Sequence, residues 1–133
     1  MRNTILFLLL SFTFSSCDRT SEKDSYYLYL EEILGKSPDE SKQYVLVSDY
    51  SCSSCKEQVY REIEEKANNK VYIILQPRNK LVLRERFQDA IFENRLFIDT
   101  SRLNLEMNLV MDKAMELDFQ EGKWILLEME GEL

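Results

Sequence analysis

The chain predicts an α/β fold, a mixed β-sheet flanked by helices, with an extra helix at its N-terminal end. Three observations lead there. Two short apolar runs, residues 44–47 (Tyr-Val-Leu-Val) and 71–75 (Val-Tyr-Ile-Ile-Leu), bracket a segment whose apolar residues recur every four positions, which is strand, helix, strand. A second helical pattern and a third apolar run follow. A turn at residues 120–123 (Gln-Glu-Gly-Lys) then leads into the strand pattern at 124–129. Parallel β-α-β followed by an antiparallel hairpin requires a mixed sheet, and its apolar faces need helices to cover them.

In chain order, residues 25–34 put Tyr26, Leu30, Ile33 and Leu34 on one helical face, with Tyr26 in the core and Tyr27 and Tyr29 half-exposed. Gly35 follows, where a left-handed residue ends a helix. Residues 37–40 (Ser-Pro-Asp-Glu) form a loop, and 44–47 a strand buried on both faces. Cys55, Val59, Ile63 and Ala67 make the inward face of the next helix, which Ser51 can cap and Asn68-Asn69 ends. Residues 71–75 form a second buried strand, closed by Pro77. Leu83, Phe87, Ala90 and Ile91 share one side of a single helix over about residues 80–92. Residues 96–98 are a short strand, and 107–111 and 115–119 can each be extended.

The 133 residues suit one compact domain, and an apolar content of 44% can build a core. The formal net charge is −7, or about −8 once residues 1–16, which contain Arg2, are removed. That balance repels phosphate backbones and no basic stripe offsets it, so nucleic acid is not an expected partner. Histidine is absent, which takes away the commonest general base and the commonest metal ligand. No metal or other cofactor is expected.

Residues 1–16 open with Arg2, run through the apolar stretch 5–10 and finish in small residues, the pattern of a secretory signal peptide too short to span a bilayer. Residues 14–17 (Phe-Ser-Ser-Cys) resemble the lipobox of bacterial lipoproteins, with Phe14 where that motif usually has Leu. The resemblance implies a diacylglycerol on Cys17 and a lipid anchor to a membrane of the bacterial cell envelope, on its periplasmic side or at the cell surface. Such an acylated cysteine carries enough buried chain for stable anchoring. Residues 17–24 are then a polar, lipidated tether and 25–133 the folded domain. The alternative is an ordinary signal peptide with Cys17 as a stray thiol.

Setting Cys17 aside leaves Cys52 and Cys55, an even pair in an oxidising compartment. They fall where a buried strand turns into a helix. Free N–H groups and the positive dipole end at a helix N-terminus stabilise a thiolate, which lowers the first cysteine's pKa. The second cysteine lies one turn behind, within reach of a mixed disulfide. The four-residue spacing puts Cys55 inward and Cys52 outward, and Lys56 adds positive charge nearby. In this context Cys52-Ser53-Ser54-Cys55-Lys56 resembles the redox motif of the thioredoxin fold, commonly followed by lysine. The likeness covers about residues 43–100, and the last third follows in outline. It implies that Cys52 attacks and Cys55 resolves, in an anchored member that reduces or oxidises envelope proteins carrying thiols or disulfides.

Three features depart from that family. Ser51 stands where an aromatic residue usually precedes the first cysteine. Leu46 occupies the place, six positions before Cys52, of a buried proton-accepting acid. The family's cis-proline would fall at about residues 102–107, yet the chain has only Pro38 and Pro77.

From the residues alone, Cys52 and Cys55 can be a thiol–disulfide site, a structural disulfide, or half a tetrahedral metal site that a dimer would complete. The structural disulfide goes with a non-catalytic lipoprotein that binds an envelope partner through its surface. Asp49 can shuttle a proton if desolvated, although a turn aspartate is ordinarily a cap or solvent-facing. The thioethers of Met107, Met111, Met115 and Met129 would suit Cu(I), but their irregular spacing among apolar residues reads as core filling. Glu128, Glu130 and Glu132 alternate along a strand end as a solvated face.

Overall fold

The computed structural model describes residues 22–66 and 69–129. Cys17 with the signal before it, Ala67, Asn68, Glu130 and Glu132 lie outside the described residues. Among those described, β1 (Gln43–Ser48), β2 (Lys70–Leu75), β3 (Leu96–Asp99), β4 (Met115–Gln120) and β5 (Lys123–Glu128) form one sheet in the order β3-β2-β1-β4-β5. β2 is parallel to β1 and β3, whereas β4 is antiparallel to β1 and β5. The mixed α/β sheet expected from the sequence is therefore present. Tyr44 pairs with Val71 on one side and Leu117 on the other, so β1 lies mid-sheet and its unbroken apolar run is buried on both faces.

Alternation along the strands divides the core in two. Val45, Val47, Tyr72 and Ile74 point to a first face, covered by Val59, Tyr60 and Ile63 of α2 (Ser53–Glu64) and by Leu83, Phe87 and Ala90. The latter three belong to α3 (Lys80–Arg86), the bend at Phe87 and α4 (Gln88–Phe92). The single helix expected over 80–92 is thus broken. Phe87 leaves helical angles (φ −112°, ψ 28°) where its buried ring packs edge-on against Tyr60, 5.2 Å away.

Tyr44, Leu46, Ile73, Leu117 and Trp124 point to the second face, covered by α1 (Glu22–Leu34) and by Leu109 and Met111. α1 starts inside the stretch expected as tether; none of residues 22–24 is a strong helix breaker. Gly35 ends it with φ +66°, as its position predicts. Tyr29, expected half-exposed, is fully buried, and its hydroxyl donates to Asp99 Oδ2 at 2.9 Å. A partner some 70 positions away makes that burial affordable for a phenol.

Residues 107–111 are not a strand. α5 (Leu103–Glu106) precedes them, and the Asn104 amide donates to the Leu109 carbonyl at 3.2 Å, folding Leu109 and Met111 onto the second face. The β4–β5 turn uses Glu121 (φ 52°) and Gly122 (φ 77°), the two positive values that a tight two-residue hairpin needs. Among the described residues no helix is long and apolar enough to cross a membrane.

Candidate functional site

The chain leaves β1 at Ser48 and enters α2 at Ser53. The turn between them is closed by its own serines. Ser48 N–H donates to Ser51 Oγ at 3.2 Å, Tyr50 N–H to Ser48 Oγ at 3.1 Å, and Ser51 N–H to the Ser48 carbonyl at 2.9 Å. With its hydroxyl engaged in the turn, Ser51 is not the helix cap. Cys52 takes that position, and its sulfur accepts the Cys55 backbone N–H at 3.2 Å.

Cys52 and Cys55 are joined as a disulfide, with Cα atoms 5.4 Å apart. Cys52 is exposed; Cys55 is half-buried against the first-face core. The inward and outward placement read from the helical spacing holds. Ser54 Oγ lies 3.6 Å from the Cys52 sulfur, and no acidic side chain stands in the first turn of α2. Opening the disulfide on this backbone would leave a Cys52 thiolate facing a backbone N–H, a hydroxyl and the positive end of a 12-residue helix. Each of these stabilises negative charge on sulfur.

Asp49 is buried, not solvent-facing. Its Oδ1 accepts from Lys56 Nζ at 3.2 Å and Tyr60 Oη at 3.4 Å, and its Oδ2 from the Arg78 backbone N–H at 2.8 Å. One carboxylate thereby ties the cysteine turn to α2 and to the loop after β2. Burial, with the Asp49 charge beside it, pushes the Tyr60 hydroxyl's pKa well above the ordinary tyrosine value. Lys56 pairs with the Asp49 carboxylate. Tyr50 is exposed beside Cys52, with the Arg78 guanidinium 4.4 Å from its ring centre.

Sequence reasoning missed Ser54, Tyr60 and Arg78. A signal existed for Tyr60, since Lys56 and Tyr60 are four apart on one helical edge facing the end of β1. Arg78 acts through its backbone N–H, for which residue type carries no signal. Leu46 is fully buried in the second-face core. β4, antiparallel to β1, begins at Met115, and neither residues 102–107 nor residues 111–114 before it contain a proline.

Met111 is buried in the second-face core with Met107 and Met115 packed on it, and Met129 packs against the first. Among the described residues no three His, Cys, Asp or Glu side chains converge on a site that could hold a metal ion. Compared with known proteins, the chain matches no family model, no curated protein and no solved structure.

Proposed function

We propose that this chain is a membrane-anchored thiol–disulfide oxidoreductase of the bacterial cell envelope, held by a lipid on Cys17 and built on a thioredoxin-like domain. The observation that carries the reading is the asymmetry of the Cys52–Cys55 disulfide at the start of α2. One sulfur is exposed at the helix cap, and the other is half-buried behind it. Only the exposed sulfur can meet a partner in line.

In the oxidising direction, a partner thiolate attacks Cys52 Sγ, the Cys52–Cys55 bond breaks and Cys55 leaves as thiolate. A second partner thiolate then attacks the partner sulfur of the mixed disulfide, and Cys52 leaves. The partner gains a disulfide, and the protein takes up the two electrons as a dithiol. The reducing direction is the reverse, with Cys52 attacking and Cys55 resolving.

The test is Cys55→Ser in the native envelope. Covalent adducts through Cys52 should accumulate and disperse with reductant, and the Cys52→Ser/Cys55→Ser double variant should form none. The second reading, a non-catalytic lipoprotein that binds an envelope partner, has Leu46 in its favour, fully buried where the resemblance expects a proton-accepting acid. It predicts that Cys55→Ser captures the same partners by non-covalent contacts alone.

A further inference from the structure

The three parallel strands end at the same sheet edge, and their loops lie side by side there. Residues 49–52 follow β1, 76–79 follow β2 and 100–102 follow β3. A cleft of about 450 Å³ opens among them, lined by Tyr50, Gln76, Lys80, Thr100, Arg102 and Leu105. Ligands of open α/β sheets bind outside the carboxyl ends of the strands. Tyr50 sets this cleft two positions from Cys52.

The cleft differs in charge from the rest of the chain. The protein is acidic, at −7, yet Lys80 and Arg102 are exposed in its lining and Arg78 is exposed at its rim over the Tyr50 ring, and none has a carboxylate within ion-pair distance among the described residues. Several other cations are answered, as Lys70 is by Glu62 and Glu116, and what sets these three apart is that they gather around one cleft without a free carboxylate among its lining residues. The acid in the cleft wall, Asp99, is only 2% exposed. Its oxygens already accept from the Tyr29 hydroxyl and from the backbone N–H and hydroxyl of Ser101. What faces solvent is therefore cationic, with the exposed Tyr50 ring and Leu105 as apolar surface between the charges. Such a patch attracts carboxylates and orients their approach.

We infer that this cleft docks an acidic segment of the partner protein, one in which Asp or Glu lies within a few residues of the cysteine that meets Cys52. The inference rests on the thiol–disulfide reading for its consequence, though docking itself can be measured without it. Carboxylates of the segment pair with Lys80 and Arg102, and a neighbouring apolar side chain lies on Tyr50. Charge at the cleft then selects among partners that share the same disulfide chemistry.

The test uses the full-length chain carrying Cys17→Ser and two peptides of equal length, each joined by a disulfide to a small thiol. One peptide has Glu flanking its cysteine and the other has Lys. The reduced Cys52/Cys55 pair gives two electrons to the peptide disulfide, forming its own and releasing two thiols. Exchange with the Glu peptide should be about tenfold faster at low salt, and the preference should fade at about 0.5 M salt. Lys80→Glu/Arg102→Glu should reverse it, and Lys80→Gln/Arg102→Gln should abolish it; both residues are exposed.

Fluorescence anisotropy with the same peptides, cysteine replaced by serine, reads docking apart from chemistry, and the Glu peptide should bind in a manner lost on charge reversal. Docking without exchange would leave the cleft assignment standing and sink the redox reading. Exchange at equal rates for both peptides, indifferent to salt and to charge reversal, would overturn the cleft assignment and leave the redox reading in place. Neither docking nor exchange would overturn both.

Discussion

The two faces of the sheet are packed from different material. Crossover helices cover the first face, joining one parallel strand to the next, and that face holds Cys55. The second is covered by α1, from one end of the fold, and by the irregular stretch around Leu109 and Met111, from the other. It is richer in aromatics that lock edge to face, with Trp124 5.6 Å from Tyr44 and 5.2 Å from Phe119. The disulfide and the Trp124 contacts therefore fall on opposite sides of one sheet, with Cys55 seated against the first face and Trp124 locking the second.

This division predicts that damage to the second face lowers stability without touching the disulfide. Trp124→Ala should cost about 3–5 kcal/mol in urea unfolding, as large truncations in packed cores do. The reduction potential of Cys52–Cys55 should stay within about 30 mV of the parent. A larger shift would mean that the faces are coupled.

The complementary change is Val59→Ala, one turn behind Cys55 on the first face. It should cost about 2 kcal/mol, and in the reduced protein it should speed alkylation of Cys55 several-fold, which Trp124→Ala should not.

A third comparison comes from the tyrosines. Burial raises the pKa of Tyr29 and Tyr44 on the second face and of Tyr60 and Tyr72 on the first. A hydroxyl whose pKa is higher folded than unfolded keeps its proton longer in the native state. Its contribution is complete below the ordinary tyrosine value of 10.0 and is lost as pH rises beyond it. Unfolding free energy should fall above about pH 10, by up to about 1.4 kcal/mol per pH unit for each such group. Tyr29→Phe should make that fall shallower and, by removing the donor to Asp99, should cost about 1–2 kcal/mol at neutral pH. A flat profile between about pH 9 and 11 would contradict the dry second face.

The smallest expected effect is at the sulfur. Ser54→Ala removes the hydroxyl 3.6 Å from Cys52 and should slow alkylation of reduced Cys52 at neutral pH about twofold, with stability unchanged.

The same division decides what could be read from the sequence. β1, α2 and β2 were legible because their signals are local: two unbroken apolar runs and a four-residue period that already separates Cys55 from Cys52. The hairpin was legible from its turn residues. Features set by distant partners were not. Tyr29 is buried because Asp99 receives its hydroxyl, and Asp49 is buried because Arg78 and Tyr60 donate to it. The cap passed from Ser51 to Cys52 because the serine hydroxyl closes its own turn. Residues 107–111 carry apolar spacing that fits a strand, but β4 pairs along β1 and leaves them to fold over the second face. The bend at Phe87 likewise follows from a ring contact with Tyr60 that no local period records.

The most direct test is the reduction potential of the Cys52–Cys55 pair, measured in glutathione buffers on the chain carrying Cys17→Ser, so that only these two thiols titrate. A thiol–disulfide catalyst should give a value between about −120 and −270 mV. A value below about −300 mV would mark a structural disulfide, and Cys52 would then have no catalytic role.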